Sequence, residues 1–83
     1  MEIFAERLNK LIAENNITRY RLAKDLGINK QTVIFWCDGV TEPKVSGLRQ
    51  IAEYFDVSAD YLIGLENDDG SKTQHNNSIP QTF

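Results

Sequence analysis

The sequence predicts an all-α fold: a compact domain of five short helices over residues 1–65, then a flexible polar tail or linker over 66–83. Three observations carry this reading. Apolar residues recur at helical spacing in successive segments. Capping residues and glycines stand where those segments should begin and end. From Glu66 onward the periodicity fails and the chain turns polar, as segments without a core do.

The first helix spans 2–15. Phe4, Leu8, Leu11 and Ile12 share one face, and Glu2, Glu6, Arg7, Lys10 and Glu14 occupy the others. Asn15-Asn16 ends it. The second helix spans 18–26, with Thr18 as N-cap, an inner face of Leu22, Ala23 and Leu26, and Gly27 as its stop. The third spans 29–38. Asn29 caps it, Val33 and Trp36 point inward, and Gly39 ends it. Lys30, Gln31, Ile34 and Phe35 are left on or near its outer face. A loop containing Pro43 leads to a fourth helix over 45–55, with Leu48, Ile51, Ala52 and Phe55 inward and Gly47 weakening its first turn. Ser58 caps a fifth helix, 58–63, which contributes Tyr61 and Leu62 and stops at Gly64. The tail closes on Ile79-Pro80-Gln81-Thr82-Phe83, whose two apolar residues are candidates for docking.

At 83 residues the chain fits one domain with a modest core. No apolar run approaches the roughly 20 residues needed to cross a bilayer. The start, MEIFAERLNK, lacks a signal-peptide core, so a cytoplasmic location without membrane association is expected. The single cysteine, Cys37, reads as a small buried hydrophobe, with neither a disulfide framework nor a structural zinc site behind it. Glu66, Asp68 and Asp69 lack the twelve-residue calcium loop, and His75 reads as solvated. One histidine, one cysteine and no glycine-rich phosphate loop leave no catalytic constellation, so neither an enzyme nor a cofactor is expected.

The net charge is −3, which argues against nucleic acid until its distribution is considered. Residues 66–83 carry −2, and residues 17–35 carry +3 from Arg19, Arg21, Lys24 and Lys30 against Asp25. Local field governs phosphate contact, so binding sensitive to salt is expected. Arg21 and Lys24 read equally as helix surface or as phosphate contacts.

The feature that carries function is helix, glycine turn, helix in 18–38. Ala23 is small enough for close approach of the two helices. Val33 and Trp36 anchor the second helix from behind, which leaves Lys30, Gln31 and Ile34 free to project into a major groove. The same pattern also fits a plain helical hairpin.

The run Ile17-Thr18, Leu22-Ala23, Leu26-Gly27-Ile28, Val33, Trp36, Gly39, Pro43, Ile51-Ala52, Phe55, Val57-Ser58 and Tyr61-Leu62 resembles the phage-repressor and Cro-like helix-turn-helix family, with its lambda-repressor-like domain. The resemblance covers about 1–65. It implies five helices, DNA binding through the second and third, and a two-fold homodimer on double-stranded DNA. Carried over by position, Lys30, Gln31, Ile34 and Phe35 would face bases, and Arg19, Asn29, Thr32, Thr41 and Lys44 would face phosphates. Where the family commonly has Gln, this chain has Arg19. Where the family often pairs an Arg late in the first helix with a Glu late in the third, this chain has Ile12 and Cys37, so both charges are absent together. Ile34 and Phe35 are apolar where the family is often polar.

The expected function is therefore a transcription regulator, a repressor occupying an inverted-repeat operator as a dimer. Ile63 and Leu65 are the candidate dimer contacts. The alternative is a protein-interaction module or antitoxin that offers Ile34 and Phe35 to a protein partner. The tail has the composition of a linker that would lead to a further domain.

Overall fold

A computed structural model describes residues 2–69, 71 and 72. His75 and the Ile79–Phe83 segment lie outside the described residues. Five helices are found among those described: α1 (Glu2–Glu14), α2 (Arg19–Leu26), α3 (Lys30–Cys37), α4 (Val45–Phe55) and α5 (Ala59–Leu62). Three of them begin on the expected caps. Thr18 Oγ1 accepts from the Arg21 N–H at 2.9 Å, Asn29 Oδ1 from the Gln31 N–H at 2.7 Å, and Ser58 Oγ from the Tyr61 N–H at 3.0 Å. Each cap satisfies a backbone donor that the first helical turn leaves open.

All five helices end the same way. A residue in the left-handed region follows the last turn: Asn16, Gly27, Gly39, Asp56 and Gly64, with φ between 53° and 89°. The next residue then donates its N–H to the carbonyl five positions back, in the pairs Ile17–Ile12, Ile28–Ala23, Val40–Phe35, Val57–Ala52 and Leu65–Asp60. This closes the orphan carbonyls of each helix end and places an apolar side chain just beyond it. Ile17, Ile28 and Val57 use that position to pack against the core, whereas Val40 and Leu65 stay exposed.

One core joins the helices. Phe4, Leu8, Leu11 and Ile12 of α1 meet Leu22 and Ala23 of α2, Val33, Trp36 and Cys37 of α3, Ile51 and Ala52 of α4, and Tyr61 and Leu62 of α5. The Phe4 and Trp36 rings meet edge to face, 6.3 Å apart at 83°. Leu26, Leu48 and Phe55, expected inward, are only partly buried at its rim. Gly47 has a packing reason: a Cβ there would stand 3.2 Å from Pro43 Cβ and 3.3 Å from the Trp36 ring. Its absence lets α4 lie against the indole, which offsets the helix propensity that glycine forfeits.

Glu66 to Asp69, with Ser71 and Lys72, fold back on the domain although the apolar pattern has ended. Arg7 of α1 donates to the Tyr61 and Glu66 carbonyls, with its guanidinium 4.4 Å from the Tyr61 ring centroid. Lys10 pairs with Asp68 at 2.8 Å and Lys72 with Asp60 at 2.7 Å. A single bridge joins Glu66 to Lys72. The ordering here is polar, so hydrophobic periodicity gives no sign of it.

Candidate nucleic-acid interface

α3 is held from behind. Val33, Trp36 and Cys37 are buried, and Asn9 of α1 donates its Nδ2 to the Cys37 carbonyl at 2.9 Å, which ties down the last turn. Ile12 and Cys37, the apolar occupants of the family's ion-pair positions, are both buried in the one core cluster. Burial pushes the Cys37 thiol up, which favours its protonated form. On the opposite side, Lys30 and Gln31 are exposed at the N-terminal end of α3. Phe35 is 39% exposed, and Ile34 is half-buried at the edge of the strip rather than fully outward.

Beside α3 runs a shallow groove of about 380 Å³, lined by Thr32, Thr41, Glu42, Lys44, Ser46 and Gln50 together with Ile28, Trp36, Pro43 and Gly47. Three of the five expected phosphate contacts, Thr32, Thr41 and Lys44, are brought together there. Asn29 and Arg19 do not line it. The Asn29 carbonyl oxygen is engaged as the α3 cap, which leaves its amide donors as the group for a phosphate. Arg19 opens α2, as expected, but its guanidinium lies 3.4 Å from Asp38 at the end of α3, with both side chains close to half exposed.

Three features escaped the sequence reading. Lys44 stands at the N-cap of α4 and makes no side-chain cap. The first turn of α4, whose open N–H groups carry a partial positive charge, contributes Ser46 and Gly47 to the groove that Lys44 lines. The signal was legible, because position 44 lacks the Ser, Thr, Asp or Asn found at 18, 29 and 58. Tyr20 of α2 is 62% exposed, with its ring centroid 5.9 Å from Lys30 Nζ. Asp38 was not singled out at all, and only the tertiary fold brings it to Arg19.

Arg21 belongs to a different network. It pairs with Asp25 at 2.9 Å, one helical turn along, and Tyr54 of α4 donates its hydroxyl to the same carboxylate at 2.6 Å. The Tyr54 hydroxyl, with help from Arg21, holds the Asp25 carboxyl below the usual carboxylate range. This ties α2 to α4. At the far end of the domain, Leu65 is 40% exposed and Ile63 half-buried. Among the described residues no helix is long and apolar enough to cross a membrane.

Residues 5–68 match the family described as "Helix-turn-helix domain". The chain is 29% identical over 75 residues to the "Uncharacterized HTH-type transcriptional regulator YobD" of Bacillus subtilis (strain 168), covering 90% of this chain and 67% of that protein. It is 30% identical over 63 residues to the "HTH-type transcriptional activator BcrR" of Enterococcus faecalis, covering 76% of this chain but only 31% of that protein. Among solved structures, a transcriptional regulator from Listeria innocua superposes with a TM-score of 0.71 at 32% identity, over 78% of this chain and 61% of that one. The SOS-response transcriptional repressor LexA from Eubacterium rectale does so with a TM-score of 0.73 at 28% identity, over 99% and 89%. With the turn geometry of α2 and α3 and a match across most of its length, the chain belongs to the helix-turn-helix domain family, in its phage-repressor-like form, a family of DNA-binding transcription regulators.

Proposed function

We propose that this chain is a cytoplasmic, non-enzymatic repressor that binds an inverted-repeat operator as a two-fold dimer, with α3 of each copy in the major groove. The observation that carries the reading is the division of α3: one side is locked into the core, and the other presents Lys30 and Gln31 beside a groove whose lining includes Thr32, Thr41 and Lys44, with Glu42 among them. Phosphate contacts fix register, and base-edge contacts select sequence. Arg19, Asn29, Thr32, Thr41 and Lys44 take the first role. Lys30, Gln31, Ile34 and Phe35 take the second. Leu65, exposed beside the half-buried Ile63, supports a dimer contact at the end of α5 that sets the two recognition helices about 34 Å apart. LexA of Eubacterium rectale, which matches 99% of this chain, is named as a repressor.

Selection of bound duplexes from a random pool, followed by native mass spectrometry on the winner, tests this. The expected result is a palindromic consensus occupied by two chains, with affinity falling steeply as salt rises. A pool that stays unenriched, or one chain per site, would sink the proposal.

A second reading has its own support. The net charge of −3 and the exposed Phe35 suit a protein partner on the α3 surface, as in an antitoxin or interaction module. Duplex retardation that depends on salt separates the two readings, since a pure protein binder shows none.

A further inference from the structure

We infer that Tyr20 is the positioning residue for Lys30: its ring holds the ammonium at the mouth of the recognition surface before DNA arrives. The inference rests on the reading of Lys30 as a base contact.

Tyr20 has no place in the core. Leu22 and Ala23 supply the buried face of α2, while Tyr20 is 62% exposed. Among the described residues its ring meets Lys30, whose Nζ lies 5.9 Å from the ring centroid. That is within the range at which a cation is drawn to the face of an aromatic ring. Lys30 is the first residue of α3, immediately after the Asn29 cap, so its backbone is fixed and only its side chain is left to order.

The choice of partner distinguishes Lys30 from the cations that pair with carboxylates; Arg7, over the Tyr61 ring, is another cation seated on an aromatic face. Arg19 is paired with Asp38, Arg21 with Asp25, Lys10 with Asp68, Arg49 with Glu53 and Lys72 with Asp60. Among the described residues no carboxylate pairs with Lys30. A carboxylate there would compete with guanine O6 and N7 for the ammonium and would face phosphates with a like charge. A ring restrains the same side chain without adding negative charge. A lysine side chain is long and loses much rotamer freedom when it docks, so restraint in the free protein lowers the loss on binding.

The test uses the full chain, first without DNA. The Lys30 side-chain methylene protons should be shifted upfield by the ring in the parent and in Tyr20→Phe, and return to ordinary values in Tyr20→Leu. The same proteins are then titrated with the duplex recovered from random-pool selection. Tyr20→Leu should weaken binding about two- to fivefold, the range that a surface cation–ring contact supports. Tyr20→Phe should bind like the parent, and in a Lys30→Met background the Tyr20→Leu loss should vanish. Equal losses for Tyr20→Phe and Tyr20→Leu would assign the effect to the hydroxyl and overturn the inference. So would a loss that survives Lys30→Met, or methylene shifts indifferent to the ring. If Lys30→Met leaves base preference unchanged while the ring shift persists, the base-reading role of Lys30 falls and the contact stands without that function.

Discussion

The two faces of α3 carry apolar residues of opposite purpose. Val33, Trp36 and Cys37 are buried against the other helices, while Ile34 is half-buried and Phe35 exposed on the far side. Residue type alone does not separate Ile34 from Val33; only the phase of the helix does. Loss from the inner face removes buried contacts and should cost folding. Loss from the outer face leaves those contacts intact and should cost recognition alone. A mutant series across eight residues can therefore part the two functions of one helix.

The largest effect belongs to the inner face. Cys37→Glu places a carboxylate where burial already disfavours the thiolate. It should lower stability by about 3–5 kcal/mol, read from urea unfolding, because the charge is buried without a partner. Arg19 acts on the thiol against the effect of burial, but it is engaged with Asp38. A cost under about 1 kcal/mol would mean that Arg19 swings inward to pair, and the boundary between the two faces would then be softer than drawn.

Gln31→Ala is the outer-face counterpart. The Asn29 cap bonds to the Gln31 backbone N–H, so truncating the side chain leaves the helix start intact. Stability should change by less than about 0.5 kcal/mol. Discrimination between the selected duplex and one with the contacted base pair exchanged should fall by about 1–3 kcal/mol, the worth of a bidentate contact. Equal weakening on both duplexes would remove Gln31 from base reading.

How much of this was legible depends on the range of the interaction. Helix starts at Thr18, Asn29 and Ser58 are local events, one side chain meeting an N–H two or three residues on, and the sequence shows them directly. The stops at Gly27, Gly39 and Gly64 are equally local. Asp56 performs the same left-handed turn for α4 and was missed, because aspartate tolerates that conformation without advertising it as glycine does. The core phase of α3 was readable from Val33 and Trp36. What could not be read is what depends on packing angle: Arg19 reaching Asp38, Tyr20 lying beside Lys30, and Arg7 gripping the chain beyond α5. Each joins residues on different elements through side chains that are polar or exposed, where no periodicity exists to be seen.

The apolar outer residues predict a smaller effect on the DNA side. Neither Ile34 nor Phe35 can hydrogen-bond a base edge, and the thymine methyl is the one major-groove group that rewards apolar contact. At least one thymine per half-site should meet them. Replacing that thymine with uracil should weaken binding by about 0.8 kcal/mol, the value of one buried methyl-sized group. Phe35, more exposed than Ile34, is the better placed of the two. If every thymine tolerates the exchange, the outer apolar strip is not reading DNA, and the protein-partner reading of that surface gains.

The smallest effect lies at the seam between the faces, where Arg19 and Asp38 join the start of α2 to the end of α3. Arg19 is the expected phosphate anchor, yet the pair shares its charge with a carboxylate. Both side chains are nearly half in water, so the pair itself contributes little to folding, about 0.2–1 kcal/mol before screening by salt. On DNA the accounts of the two residues diverge. Arg19→Ala should weaken selected and random duplexes alike and lower the salt slope by about 1, since one phosphate contact is lost. Asp38→Asn should act with the opposite sign. It removes a negative charge that competes with phosphate for the guanidinium, so both duplexes should bind about two- to fivefold tighter at low salt, with the gain fading as ionic strength rises. Titrations of both variants at two salt concentrations read this directly. If Asp38→Asn instead weakens binding, the carboxylate holds Arg19 in its productive pose, and the seam is a positioning contact rather than a competitor.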